Sequence, residues 1–213
     1  LGTDPSTGSA TLGGTLTVAA VAGVATFNSV NLDKAFTGYD LVASSAALTT
    51  DTSTSFNITP AAKSKLAIIT QPTDAEYNSN INPAITVEIR DAFDNLTADT
   101  DSITFAINSN PGTSTLSGTT SVNAVAGVAT FSDLNLDKIG VGYTLDVTAT
   151  GLTLDTSDTF NITSTPTQLA VFTQPFNTNN GFTMANIVVQ VWDAQNNIVT
   201  DATDNVTVSF SAD

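Results

Sequence analysis

AVAGVATFSDLNLDKIGVGYTLDVTATGLTLDTSDTFNIT, residues 124–163, is nearly the same text as AVAGVATFNSVNLDKAFTGYDLVASSAALTTDTSTSFNIT, residues 20–59. The offset is 104 residues, without a gap. Gly23 maps on Gly127, Phe27 on Phe131, Asp33 and Lys34 on Asp137 and Lys138, Tyr39 on Tyr143, and Phe56 on Phe160. A repeat of domain size outranks any local motif, because it says that one structural unit is used more than once. A second match, KLAIITQP (65–72) with QLAVFTQP (168–175), extends it. Residues 65–163 therefore hold a whole repeat, 1–59 the C-terminal half of one, and 168–213 the N-terminal half of another. The joints PAAKS (60–64) and STPT (164–167) are short and each contains a proline, which restricts the angle between neighbours more than a Gly/Ser linker would.

Inside the whole repeat the apolar period is two. Ile85, Val87 and Ile89 alternate with Thr86, Glu88 and Arg90, the pattern of a half-buried strand. Ile187, Val189 and Val191 form the same face in the third copy. Ile103, Phe105 and Ile107 make the next inward face, answered by Val206, Val208 and Phe210. Gly127, Ala129 and Phe131 follow, then Tyr143, Leu145, Val147 and Ala149, then Phe160 and Ile162. A first strand at 65–71 and a short one near 114–123 complete the set, with turns at DAFDN (91–95), SNPG (109–112), LSG (116–118) and DKIG (137–140). No segment sustains a helical period. Seven short strands in about a hundred residues predict an all-β chain of tandem immunoglobulin-like β-sandwich repeats. Tyr143 and Tyr39, each after a Gly-containing turn and before a long strand, stand where such sandwiches carry a tyrosine corner; a plain core tyrosine is the alternative.

The run ITVEIRDAFDNLTADTDSITFAIN, then a Gly/Ser-rich turn, then VAGVATFSDLNLDKIGVGYTL, resembles the bacterial Ig-like repeats of large surface proteins, the invasin/intimin and filamin-like class. The resemblance spans essentially the whole chain and implies a cell-surface stalk, adhesin or filament. Two features of that class are missing from these residues: a lectin-like domain and the invasin-type cysteine pair.

The composition narrows the chemistry. There is no Cys and no His, so thiol chemistry, disulfides and the commonest general base are all excluded. Twenty acidic residues against five basic ones give a net charge of -15, which repels nucleic acid and anionic lipid and keeps a long polymer soluble. No apolar run reaches the length of a membrane helix, no leader is read at Leu1, and the Thr/Ser-rich, charge-poor text points to an extracellular or cell-surface setting. No nucleophile–base pair or phosphate loop is recognisable, and Glu76 and Glu88 are the only glutamates, so no enzymatic activity is expected.

The candidate sites are few. DAFDNLTADTD gathers Asp91, Asp94, Asn95, Asp99 and Asp101; DAQNNIVTDATDN gathers Asp193, Asn196, Asn197, Asp201 and Asp204. Hard oxygen donors on one loop suit Ca²⁺, the only cofactor considered, whereas Asx residues also simply build turns. The repeated LDK reads as a turn with a local ion pair. Four N-x-T sequons, at Asn57, Asn95, Asn161 and Asn205, permit glycosylation, though a chain this rich in Asn, Ser and Thr would contain several by chance. Lys65 and Asn161 are nominal partners for an isopeptide bond between first and last strands, but the third copy has Gln168 in place of Lys65. Trp192, the only Trp, alternates away from Val189 and Val191, and reads either as an exposed contact for a glycan or host protein or as a cover for the domain joint.

The two partial repeats are complementary. Residues 168–213 carry the first strands and 1–59 the rest, so the expected partners are copies of the chain itself, joined head-to-tail either covalently or by strand complementation. The expected role is a structural unit of a filament, stalk or sheath, with an adhesin segment as the alternative.

Overall fold

The computed structural model describes residues 2–194, 196–200 and 202–209. Every regular element among them is a β-strand. The centre of the molecule is residues 63–163, where two sheets face each other. One has the order Val128–Phe131, Ile85–Asp91, Lys63–Thr70, all antiparallel. The other runs Ser121–Asn123, Ser102–Ser109, Gly140–Thr148, Phe160–Thr163, Ala75–Glu76, with Asp155–Thr156 also on Gly140–Thr148. Its last pair, Phe160–Thr163 with Ala75–Glu76, is parallel.

Period-two sequence creates this arrangement directly. Ile85, Val87 and Ile89 are fully buried from the first sheet, as are Ile103, Tyr143, Leu145 and Val147 from the second. Phe105 and Phe131 meet edge to face across the gap, their ring centroids 4.7 Å apart at 79°. Among the described residues the hydrophobic core cluster is formed by residues from this repeat.

The tyrosine-corner reading has its geometry in both copies. The Tyr143 hydroxyl donates to the Lys138 carbonyl at 2.9 Å and Tyr39 to Lys34 at 3.0 Å, and both rings are buried. Each tyrosine follows a bulge, closed by an asparagine amide oxygen: Gly142 N–H donates to Asn161 and Gly38 N–H to Asn57, both at 3.0 Å.

Two strand readings need correcting. Gly127 shares the buried side of Ala129 and Phe131, but it lies in the turn rather than the strand. Val125 and Val128 exchange backbone hydrogen bonds at 2.8 and 3.1 Å around Ala126 and Gly127, whose φ angles are 49° and 81°. Positive φ at both central residues is the type I′ hairpin turn that matches strand twist. Ala22 and Gly23 repeat it, but there the turn is exposed. The second correction concerns Val206 and Val208, which form no strand; Phe210 lies outside the described residues. Their counterparts in Ser102–Ser109 sit between Ser121–Asn123 and Gly140–Thr148, and residues 168–213 hold no equivalent of either neighbour.

The partial repeats keep local pairing, and none of their described residues joins the core cluster. Leu12–Gly13 pairs with Asn31–Leu32, Thr37–Tyr39 with Phe56–Asn57, and Val42–Ala43 with Asp51–Thr52. Gln168–Thr173 pairs with Val188–Trp192. Among the described residues the strands of 1–59 and those of 168–209 pair only within their own segments.

Candidate functional site

The turn DAFDN ends strand Ile85–Asp91, and its centre is the Asp91 carboxylate, which is fully buried. Oδ1 accepts the N–H groups of Phe93 (2.8 Å) and Asn95 (2.9 Å), while Oδ2 accepts those of Ala61 and the Asn95 side chain, both at 2.9 Å. Burial pushes this carboxyl up, but the donors from Asn95, Ala61 and Phe93 outweigh it and hold it below its ordinary value. A carboxylate accepting N–H groups on both oxygens is a turn-forming anion, the second of the two readings of these acids.

The remaining acids of the cluster point to cations instead. Asp94 lies 2.6 Å from the Lys65 ammonium and 3.9 Å from Arg90. Asp101 takes Lys63 at 2.6 Å, with Asp99 3.7 Å from the same nitrogen. Among the described residues no group of three or more acids, His or Cys is arranged to hold a metal ion.

The third copy rebuilds the turn with other atoms. Asn197 N–H donates to Asp193 Oδ1 at 2.8 Å and its side chain to Oδ2 at 3.1 Å. Ser164 Oγ donates to Oδ2 at 3.0 Å, from the linker position that corresponds to Ala61. Burial pushes the Asp193 carboxyl up, and the hydrogen bonds from Asn197, Tyr77 and Ser164 pull it well below the usual range. Asn196 replaces Asp94 and Gln168 replaces Lys65; they meet at 2.7 Å, so an ion pair in one copy becomes an amide–amide bond in the next. Trp192 takes the place of Arg90 in the same way. Its indole N–H donates to Gln190 at 3.0 Å, as Arg90 Nε donates to Glu88 at 2.8 Å. The ring is half-buried, and the Trp192 carbonyl accepts the N–H of Thr167 from the linker at 2.9 Å. Asp201 lies outside the described residues.

Asn95 reaches beyond its own repeat. Its side chain donates to the Asp33 carbonyl and accepts from Ala35 N–H, both at 2.9 Å, while the Lys34 ammonium donates to the Phe93 carbonyl at 2.6 Å. The LDK turn of one repeat is therefore the surface on which the DAFDN turn of the next one sits. Its aspartate serves its own repeat: Asp33 accepts Thr11 N–H at 2.6 Å and Asp137 accepts Thr115 N–H at 2.7 Å. At the second joint Asn197 donates to the Tyr77 hydroxyl at 3.0 Å, and with Tyr77 it lines a cleft against Asp137, Lys138 and Ile139.

The other predicted residues are dispersed. Lys65 is held by Asp94, whereas Asn161 is bonded to Asp74 and Gly142, so each member of the nominal isopeptide pair is engaged with other partners. Of the sequons, Asn95 is buried with its amide fully engaged, Asn161 is half-buried, and Asn57 and Asn205 are exposed. Tyr77 and the linker donors Ala61 and Ser164 escape sequence reading. The recoverable signal is the D-x-x-x-N spacing, present in both copies at nearly the same distance from the linker.

No protein-family model matches the chain, and no curated protein sequence does either. Among solved structures it is similar to a beta-glycosidase from Bacteroides vulgatus, at 18% identity over 53% of this chain and 15% of that one, with a TM-score of 0.40. It is also similar to domains 4–9 of the surface layer protein SbsC, at 15% identity over 78% of this chain and 26% of that one, with a TM-score of 0.36. The chain spans well under half the length of either.

Proposed function

We propose that this chain is a structural repeat unit of an extracellular or cell-surface filament, stalk or sheath, built head-to-tail from Ig-like domains. The observation that carries the reading is a mismatch between equivalent positions. Phe131 is 1% exposed in the whole repeat and Phe27, its counterpart, 48%. Leu66 is 3% exposed and Leu169, its counterpart, 56%. Each partial repeat thus presents the apolar face that the other half of a repeat covers, and the occupant this fits is that half, from an adjoining repeat joined covalently or from a neighbouring copy. Such a contact is heterologous and does not close, so it extends into a fibre. Function then lies in length, cohesion and solubility, with no catalytic step and no ligand required.

Sedimentation velocity and negative-stain electron microscopy over a concentration series test this. Association into unbranched fibres with a regular axial repeat is the expected result. Phe27→Asp should shorten or abolish the fibres while residues 65–163 remain folded. A monomer at every concentration, with both terminal segments protected from hydrogen exchange, would overturn the proposal.

A further inference from the structure

The two joints share a device that the filament reading does not need and that operates within a single chain. We propose that the D-x-x-x-N turn is an inter-repeat latch, fixing the angle between consecutive repeats by gripping the linker with its aspartate and the preceding repeat with its asparagine.

The first half of the device is identical in logic at both joints. Asp91 takes its linker donor from Ala61 N–H, and Asp193 takes it from Ser164 Oγ, at corresponding positions. The chemistry of the donor changes while the tether persists. Because each carboxylate also builds its own turn, the linker is tied to the hydrogen-bonded turn of the incoming repeat.

The second half is the asparagine. An amide offers one acceptor and two N–H donors. Asn95 spends one donor on Asp91 and turns the other, with its oxygen, on the backbone of Asp33 and Ala35. A donor–acceptor pair read against backbone groups fixes orientation, which a single ion pair would not. Lys34 adds a third bond across the joint, to the Phe93 carbonyl. Asn197 divides its amide similarly, between Asp193 and the Tyr77 hydroxyl of the preceding repeat. The partner this surface fits is therefore the face around the LDK turn of the repeat before it.

The absence of cysteine allows a direct test on the full chain. Spin labels at Thr54→Cys and Asn108→Cys, both exposed positions, report the distance across the first joint. Labels at Asn108→Cys and Thr156→Cys, both within the whole repeat, are the control. The unmodified joint should give one narrow distribution. Asn95→Ala should widen it about twofold, towards the spread of a free linker. Lys34→Met, which leaves every bond inside the whole repeat intact, should widen it less. The control distance should stay narrow in all cases. A joint distribution that is broad to begin with, or one that neither variant widens, overturns the latch. If Asn95→Ala broadens the control as well, Lys34→Met alone decides. The readout needs no association between chains, so loss of the filament would leave it standing.

Discussion

Gly127 and Gly23 hold the same place in their repeats, yet their surroundings differ. A Cβ on Gly127 would collide with the Thr97 carbonyl oxygen and crowd Leu96, in a backbone conformation that disfavours side chains. A Cβ on Gly23 meets nothing within 4 Å. Gly127→Val should therefore cost the whole repeat at least about 1–3 kcal/mol from overpacking, with left-handed strain added. Gly23→Val should leave the main unfolding transition of the 213-residue chain unmoved. Thermal and denaturant unfolding of the two variants checks this, and an equal loss in both would contradict the turn assignment. Sequence periodicity correctly puts Gly127 on the buried side, but not in a turn, since alternation continues smoothly from Gly127 to Phe131. Only the backbone angles separate the last turn residue from the first strand residue.

At the scale of the element, strands were legible and the joint was not. Ile85, Val87 and Ile89 could be read as one buried face because neighbours on a strand point to opposite sides. The Asp91 segment could be read as a turn rich in oxygens but not as a clasp on the linker, since three of its four donors are backbone N–H groups with no signature of their own. Those donors have a measurable consequence. Asp91 and Asp193 are held below the ordinary value of 3.8, so the folded state binds protons less readily than the unfolded chain. Their contribution is fully present above that ordinary value and is lost as pH falls through the depressed native values. Unfolding temperature should accordingly decline on acidification below about pH 4, with hydrogen-exchange protection near the joints falling with it. Stability that stays flat to well below 3.8 would contradict the bonding described.

For the whole molecule, the decisive number is the net charge of -15 on 213 residues. Copies that associate head-to-tail must bring like-charged bodies together. Raising ionic strength from about 0.01 M to about 0.15 M shortens the screening length from about 30 Å to about 8 Å, so association should strengthen with salt. Sedimentation at the two ionic strengths checks this; association that weakens with salt would mean attraction between charged patches instead. The parallel pairing of Ile162 with Ala75 and Thr163 with Glu76 has a further consequence, of a mechanical kind. Tension enters the whole repeat ahead of Ala75 and leaves it after Thr163. Two strands running the same way and drawn apart from opposite ends slide along each other, so their hydrogen bonds are strained together. Strands running in opposite directions could instead be peeled open one bond at a time. A pull applied through the two ends of the repeat therefore loads this pair in shear.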